Sequence, residues 1–457
     1  MVLLVINWGE VGIKVAQLLL SLSILVILHE FGHYITARWF KCRVEKFYLF
    51  FDPWFSLVKK KVGDTEYGIG WLPLGGYVKI SGMIDESMDK TQLALPAQPY
   101  EFRSKPAWQR LIIMIGGVTV NVILAFIIYS GILMVWGEKK IPMSSVKYGV
   151  SIQDPVMYEL GLMDGDKILA ADGKQIDDYN DIIKRIILAS NLTIERDGLK
   201  KEVVLPVDMI GTLVEKKKSG TPLLVPRIPS FVKETSDTMA AFKAGIRSGD
   251  EIVSVNGKPT LFFDELKSNI DKLKGQIAIV LVKRGNDSLS FSVPVNQEGR
   301  IGIATLSGLE DYEKYGVLKM ESKKYGFFEA IPAGIRMAGT QLKFYIDQFK
   351  KIFTPETGAY KGVGGFKSMG SIFPATWDWE SFWNITAFFS IVLAFMNLLP
   401  IPALDGGHVV FTLIEMVTGK KPNQKFLEYA QIVGMVLLLG LMLYANGNDF
   451  FGWGRGK

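Results

Sequence analysis

One cysteine, Cys42, and three histidines occur among the 457 residues. A lone cysteine excludes an internal disulfide framework and rules out a four-cysteine zinc site. Charge is missing from long stretches. Between Lys14 and Arg38 the only acidic, basic or imidazole side chains are His29, Glu30 and His33, and residues 111–137 carry no charged side chain. Both stretches are long enough to cross a bilayer. The first has no small-residue cleavage site, so it is not expected to be a removable signal peptide. The net charge of +6 comes from basic residues scattered beside apolar segments. That pattern fits membrane topology and argues against a nucleic-acid partner.

Hydrophobic residues make up 49% of the chain and charged residues 21%. The mixture implies a membrane protein that carries soluble domains.

The first apolar stretch contains His29-Glu30-Phe31-Gly32-His33, an H-E-x-x-H. Residues four apart on a helix lie about 40° apart around its axis, so both imidazoles project from one face. That spacing suits two zinc ligands with a glutamate between them as general base. Ionisable groups at membrane depth are costly and usually functional.

Residues 1–43 read as the first transmembrane helix, with the span itself at 15–37. Arg38, Lys41, Arg43 and Lys46 follow, and the positive-inside rule turns that end toward the cytoplasm. Residues 44–83 are aromatic and alternating, and Gly68, Gly70, Pro73, Gly75 and Gly76 argue against helix. They read as a membrane-associated β-rich insertion, which either offers an edge to an extended peptide or is a purely structural hairpin. Residues 84–106 read as a cytoplasmic linker and 107–142 as the second transmembrane helix. Within the latter, Gly116-Gly117-Val118-Thr119-Val120-Asn121 suits close helix packing as well as catalysis.

Residues 143–304 contain an internal repeat. Gly161–Lys174 aligns with Gly245–Lys258 at a constant offset of 84, sharing Gly-Asp at 165–166 and 249–250. The copies occupy 143–208 and 230–304, with a linker at 209–229. Each reads as short strands with one helix, a pattern that resembles PDZ domains. Such domains accept a peptide along a strand edge, or here serve as a scaffold or size filter. Residues 305–375 comprise an amphipathic helix at 325–353, placed at the periplasmic interface, and a surface loop. The third transmembrane helix lies in 376–408, its span running to 404 where Pro400 and Pro402 must distort it, and the fourth lies in 409–457. The fold class expected is a polytopic α-helical membrane protein. It has four transmembrane helices, the β-rich insertion and two periplasmic PDZ-like domains.

Two histidines are too few for a catalytic zinc, which usually takes three protein ligands. Asp405, at the cytoplasmic end of the third span, is the favoured third ligand, and His408 is its rival.

The H-E-x-x-H in the first span, Leu72-Pro-Leu-Gly75-Gly76-Tyr-Val78, Gly117-x-x-x-Asn121, the paired repeats and Asn397-x-x-Pro400-x-x-x-x-Asp405-Gly-Gly occur in order along almost the whole chain. Together they resemble the site-two protease family, in its bacterial branch with periplasmic PDZ-like domains. The resemblance implies an intramembrane zinc metalloprotease of the bacterial inner membrane. Its substrates are single-pass membrane proteins, such as anti-sigma factors or remnant signal peptides, whose ectodomain has already been trimmed. It places the Zn2+ ligands at His29, His33 and Asp405, the general base at Glu30, and substrate positioning at Asn121 and Asn397. Gly75 and Gly76 of the insertion join the expected substrate contacts. One departure is that the family's Gly-Pro-hydrophobic segment before the third span is here Gly364-Gly365-Phe366-Lys367. Two rival classes remain: a peptide-holding membrane scaffold, and a metal permease. Neither needs a base beside the ligands, and the permease would show broken, inverted-repeat helices.

Overall fold

The computed structural model describes residues 7–73, 75–83, 96–216 and 220–455. Leu74, residues 84–95 of the expected linker, residues 217–219 between the repeats and both chain ends lie outside the described residues. The chain forms two compact units. One comprises Met1–Gly137, Lys324–Lys350 and Lys361–Lys457, and the other Glu138–Lys323 and Lys351–Tyr360.

The helices of the first unit are α1 (Trp8–Trp39), α2 (Ala107–Val135), α3 (Phe327–Ile352), α4 (Phe366–Ser371), α5 (Trp379–Asn397), α6 (Asp405–Thr418) and α7 (Gln424–Phe451). Four of them, α1, α2, α5 and α7, are long and apolar enough to cross a membrane. Their outer faces carry bare apolar side chains: Ile127, Val135, Val433 and Val436 are each 62–65% exposed. A bilayer covers such a surface, and a helix satisfies its own backbone there. Helix α1 begins before the expected span because the Asn7 side chain caps it, accepting from the Gly9 N–H at 3.2 Å.

Glycine sets the spacing of α1 and α2. A Cβ on Gly32 would lie 2.3 Å from the Gly116 carbonyl oxygen, and one on Gly116 would lie 2.6 Å from that of Gly32. The two backbones therefore touch where any larger residue would separate them. Arg110 of α2 pairs with Glu415 of α6, both side chains nearly enclosed. Removing one partner of such a pair leaves a buried charge and costs about 3–5 kcal/mol.

The third span is shorter than expected, and α6 is a separate helix. Helix α5 stops at Asn397 because Pro400 and Pro402 cannot donate to a helical ladder, and helix resumes at Asp405. The intervening turn folds back on the start of α6, where a Cβ on Gly406 would strike the Leu399 carbonyl at 2.2 Å. Gly434 of α7 admits the same turn, with Ala403 N only 2.6 Å from its would-be Cβ. Helix α3 is the expected amphipathic helix. Its small-residue face packs on α2 at Ser130, and Tyr345 and Phe349 pack on Phe395 of α5.

Residues 44–80 form one sheet of β1 (Val44–Leu49), β2 (Phe51–Val62), β3 (Thr65–Leu72) and β4 (Tyr77–Ile80) in the order β2-β3-β1-β4. β1 runs parallel to β3 and antiparallel to β4, which leaves β4 as an edge. Stacked Tyr48 and Tyr77 tie the strands together. The Tyr77 hydroxyl donates to Asp52 at 2.8 Å and the Tyr48 hydroxyl to Glu66 at 2.7 Å.

The second unit contains the two repeats. Each has a four-stranded antiparallel sheet and its own apolar core. In the first copy Arg196 binds Asp166 at 2.7 Å and the Gly161 carbonyl at 2.7 Å. Arg284 does the same to Asp250 and Gly245 in the second copy, again at 2.7 Å each. Burial alone would raise the Asp250 carboxyl, but Arg284 and the Arg247 N–H hold it below the usual carboxylate range. The Gly-Asp signature of the repeat is thus an arginine clasp that closes each copy.

Candidate active site

The α1 helix carries His29 and His33 on one face, as the four-residue spacing requires, and both are buried. Gly117 of α2 makes room for them. A Cβ there would lie 2.5 Å from His33 Nε2 and 2.6 Å from His29 Cε1. Asp405, the first residue of α6, reaches the pair from the other side of the proline break. Its Oδ2 lies 3.2 Å from His29 Nε2 and 3.2 Å from His33 Nε2, and the two nitrogens are 3.3 Å apart. Among the described residues these three form the one cluster of metal-ligating side chains, and His408 is not part of it.

The triangle has the size of a zinc site. Three donors each about 2.0–2.1 Å from a tetrahedral zinc stand about 3.3–3.4 Å from one another. Asp405 Oδ2 is buried and takes no hydrogen bond, although two imidazole nitrogens face it. Three atoms that can each offer a lone pair converge here, and a cation satisfies such a set. His33 is oriented for that task, because its Nδ1 lies 2.8 Å from the Ile113 carbonyl. A carbonyl only accepts, so Nδ1 carries the proton and Nε2 keeps its lone pair.

Glu30 lies between the histidines in sequence but outside the triangle. Its carboxyl is within hydrogen-bonding reach of the Val78 backbone in β4. Gly76 allows this approach, since a Cβ there would lie 3.5 Å from Glu30 Cγ and 2.7 Å from the Tyr48 carbonyl. Gly75 is crowded in turn by the Phe51 ring, 2.9 Å from its would-be Cβ. Asn397, at the end of α5, places Nδ2 3.2 Å from His29 Nε2. Asn121, the other expected substrate-positioning residue, is wholly enclosed, with Nδ2 3.2 Å from His29 Nδ1.

Peptidase family M50 matches residues 17–441, nearly the whole chain. The chain belongs to peptidase family M50. Regulator of sigma-E protease RseP of Escherichia coli K12 is 25% identical over 95% of this chain and 98% of its own length. A Xylella fastidiosa 9a5c protein with a provisional zinc-metalloprotease name is 27% identical over 97% of this chain and 100% of its own. RseP of Salmonella typhimurium 14028s is 25% identical over 96% and 98%. This M50 peptidase is therefore a zinc metalloprotease of the site-two type, with four helices fit to span a membrane.

Sequence reasoning missed the contributions of Gly32, the Ile113 carbonyl and the Val78 backbone. Gly32 had a readable signal, a small residue inside the motif on the side of α1 that must admit Gly116. The backbone contacts had none, because every residue brings the same amide.

Proposed function

We propose that this M50 peptidase cuts single-pass membrane proteins within or beside their transmembrane segment, in the bacterial inner membrane, after another protease has trimmed the ectodomain. The observation that carries this reading is the buried triangle of His29, His33 and Asp405 with Glu30 and the outermost strand β4 beside it.

His29, His33 and Asp405 would hold the zinc, through two neutral imidazoles and one carboxylate. When bound, the metal supplies a Lewis acid that polarises the scissile carbonyl and acidifies a water. Glu30 takes the proton from the attacking water and delivers it to the leaving amine. A transmembrane helix hides its carbonyls in its own hydrogen bonds, so the substrate must be held extended. Edge strand β4 does this by adding the substrate as a further strand beside Glu30. Gly75 and Gly76 keep that edge close to α1, and Asn397 offers its amide at the mouth of the triangle. In this reading Gly76→Val leaves zinc content unchanged and lowers cleavage, because the larger side chain drives β4 away from Glu30. Metal analysis beside a cleavage assay checks it; equal loss of zinc and activity would mean that Gly76 only supports the fold.

The basic residues after α1 set the metal-bearing end toward the cytoplasm and the two repeats in the periplasm. The repeats act there as PDZ-like domains that admit trimmed substrates, with peptide ends as ligands of their strand edges. The test is a reconstituted assay with one single-pass substrate in full-length and trimmed forms. Only the trimmed form should be cut, inside its membrane segment and sensitive to a zinc chelator. Deleting residues 143–304 should admit the full-length form. Cleavage only outside the membrane segment would refute the intramembrane reading, and unchanged discrimination after the deletion would refute the filter.

A further inference from the structure

His29 stands between two amide nitrogens. Asn121 Nδ2 faces its Nδ1 at 3.2 Å, and Asn397 Nδ2 faces its Nε2 at 3.2 Å. A neutral imidazole has one N–H and one lone pair, so it cannot accept at both nitrogens. One of the two amides must present its oxygen instead. The oxygen and nitrogen of an amide exchange places by a half-turn that moves no other atom. Asn121 is the residue to turn, because its side chain stands at Nδ1 and a proton there leaves Nε2, the nitrogen that faces Asp405 Oδ2 and His33 Nε2, with its lone pair. Its residue is fully enclosed, and its backbone carbonyl accepts from Ser390 Oγ at 2.7 Å, which holds the side chain at the imidazole from the α5 side.

We infer that Asn121 is the positioning residue of the zinc site: its Oδ1 accepts the Nδ1 proton of His29 and so directs the Nε2 lone pair into the triangle. The inference rests on the reading of His29 as a zinc ligand through Nε2. The opposite choice, with Asn121 donating to Nδ1, would put a proton on Nε2 and point it at Asp405. The two histidines are then oriented alike, His33 by the Ile113 carbonyl at 2.8 Å and His29 by the Asn121 amide. Both outer partners come from α2, on the helix face that Gly117 opens to the imidazoles. Partners of this kind fix the ring tautomer and raise the basicity of the ligand.

The test uses the full chain in detergent, and it reads zinc affinity by competition with a chelating dye. Asn121→Leu removes the acceptor while keeping the branching of the side chain and is expected to weaken zinc by roughly 10–100-fold. Asn121→Asp keeps an oxygen at the imidazole but no amide donor, and is expected to bind zinc close to the unaltered chain. Affinity unchanged in Asn121→Leu, or equally weak in both variants, would overturn the inference. His29→Ala separates the two levels: if it keeps full affinity, the ligand reading itself is wrong. Should Asn121→Leu fail to fold, the unaltered zinc-loaded protein still decides. With three histidines in the chain, nitrogen-15 histidine labelling resolves His29, which should carry its proton on Nδ1. An unprotonated Nδ1 there would refute the proposal.

Discussion

Glu30→Gln is expected to slow cleavage of a trimmed membrane substrate by about 10²–10⁴-fold, the range for loss of a general base, while leaving the zinc content intact. The separation of the two readouts follows from geometry. Glu30 is outside the triangle of ligating atoms, and its carboxyl is turned toward the Val78 backbone. Glutamine keeps the volume and the reach toward β4 but cannot take a proton. Zinc analysis and a cleavage time course on the same preparation check this. Retained activity would place the base elsewhere, and joint loss of zinc would make Glu30 a ligand or a structural support.

Asp405→Ala should abolish tight zinc binding, with a loss beyond the roughly 10–100-fold typical of an outer partner. Asp405 is the only anionic member of the triangle, and its Oδ2 lies 3.2 Å from both imidazoles. Two neutral nitrogens alone neither complete the usual three protein ligands nor offset the charge of the ion at membrane depth. His408→Ala should bind zinc as the unaltered chain does, since His408 is outside the cluster. The reverse pattern would exchange the two residues.

The convergence of His29, His33 and Asp405 was legible in the sequence because their chemistry is rare there. Three charged or imidazole-bearing residues in an apolar helix and one carboxylate after a proline pair leave few ways to be satisfied. The spans were legible from hydropathy, and the insertion from its glycines and aromatics. The order of the insertion was not. Parallel pairing of β1 with β3 is a long-range choice, and no local turn signal encodes it. Helix α6 was not read as an element of its own: its first four residues were placed with the third transmembrane helix and the rest with the fourth, because apolarity runs on past the break that Pro400 and Pro402 make in the backbone. The placement of Asn121 was hidden for a different reason. Gly117-x-x-x-Asn121 shows that both residues share a face of α2, but only the close approach of Gly117 to both imidazoles shows that this face meets the histidines. Backbone partners such as Ile113 and Val78 leave no side-chain trace to read.

The account stands or falls on what the zinc touches. Anomalous diffraction at the zinc edge from crystals of the loaded full-length protein is the direct measurement. A single peak in contact with His29 Nε2, His33 Nε2 and an Asp405 carboxylate oxygen, with Glu30 near but not ligating, is the predicted result. A zinc held without Asp405, or lying away from the two imidazoles, would contradict it.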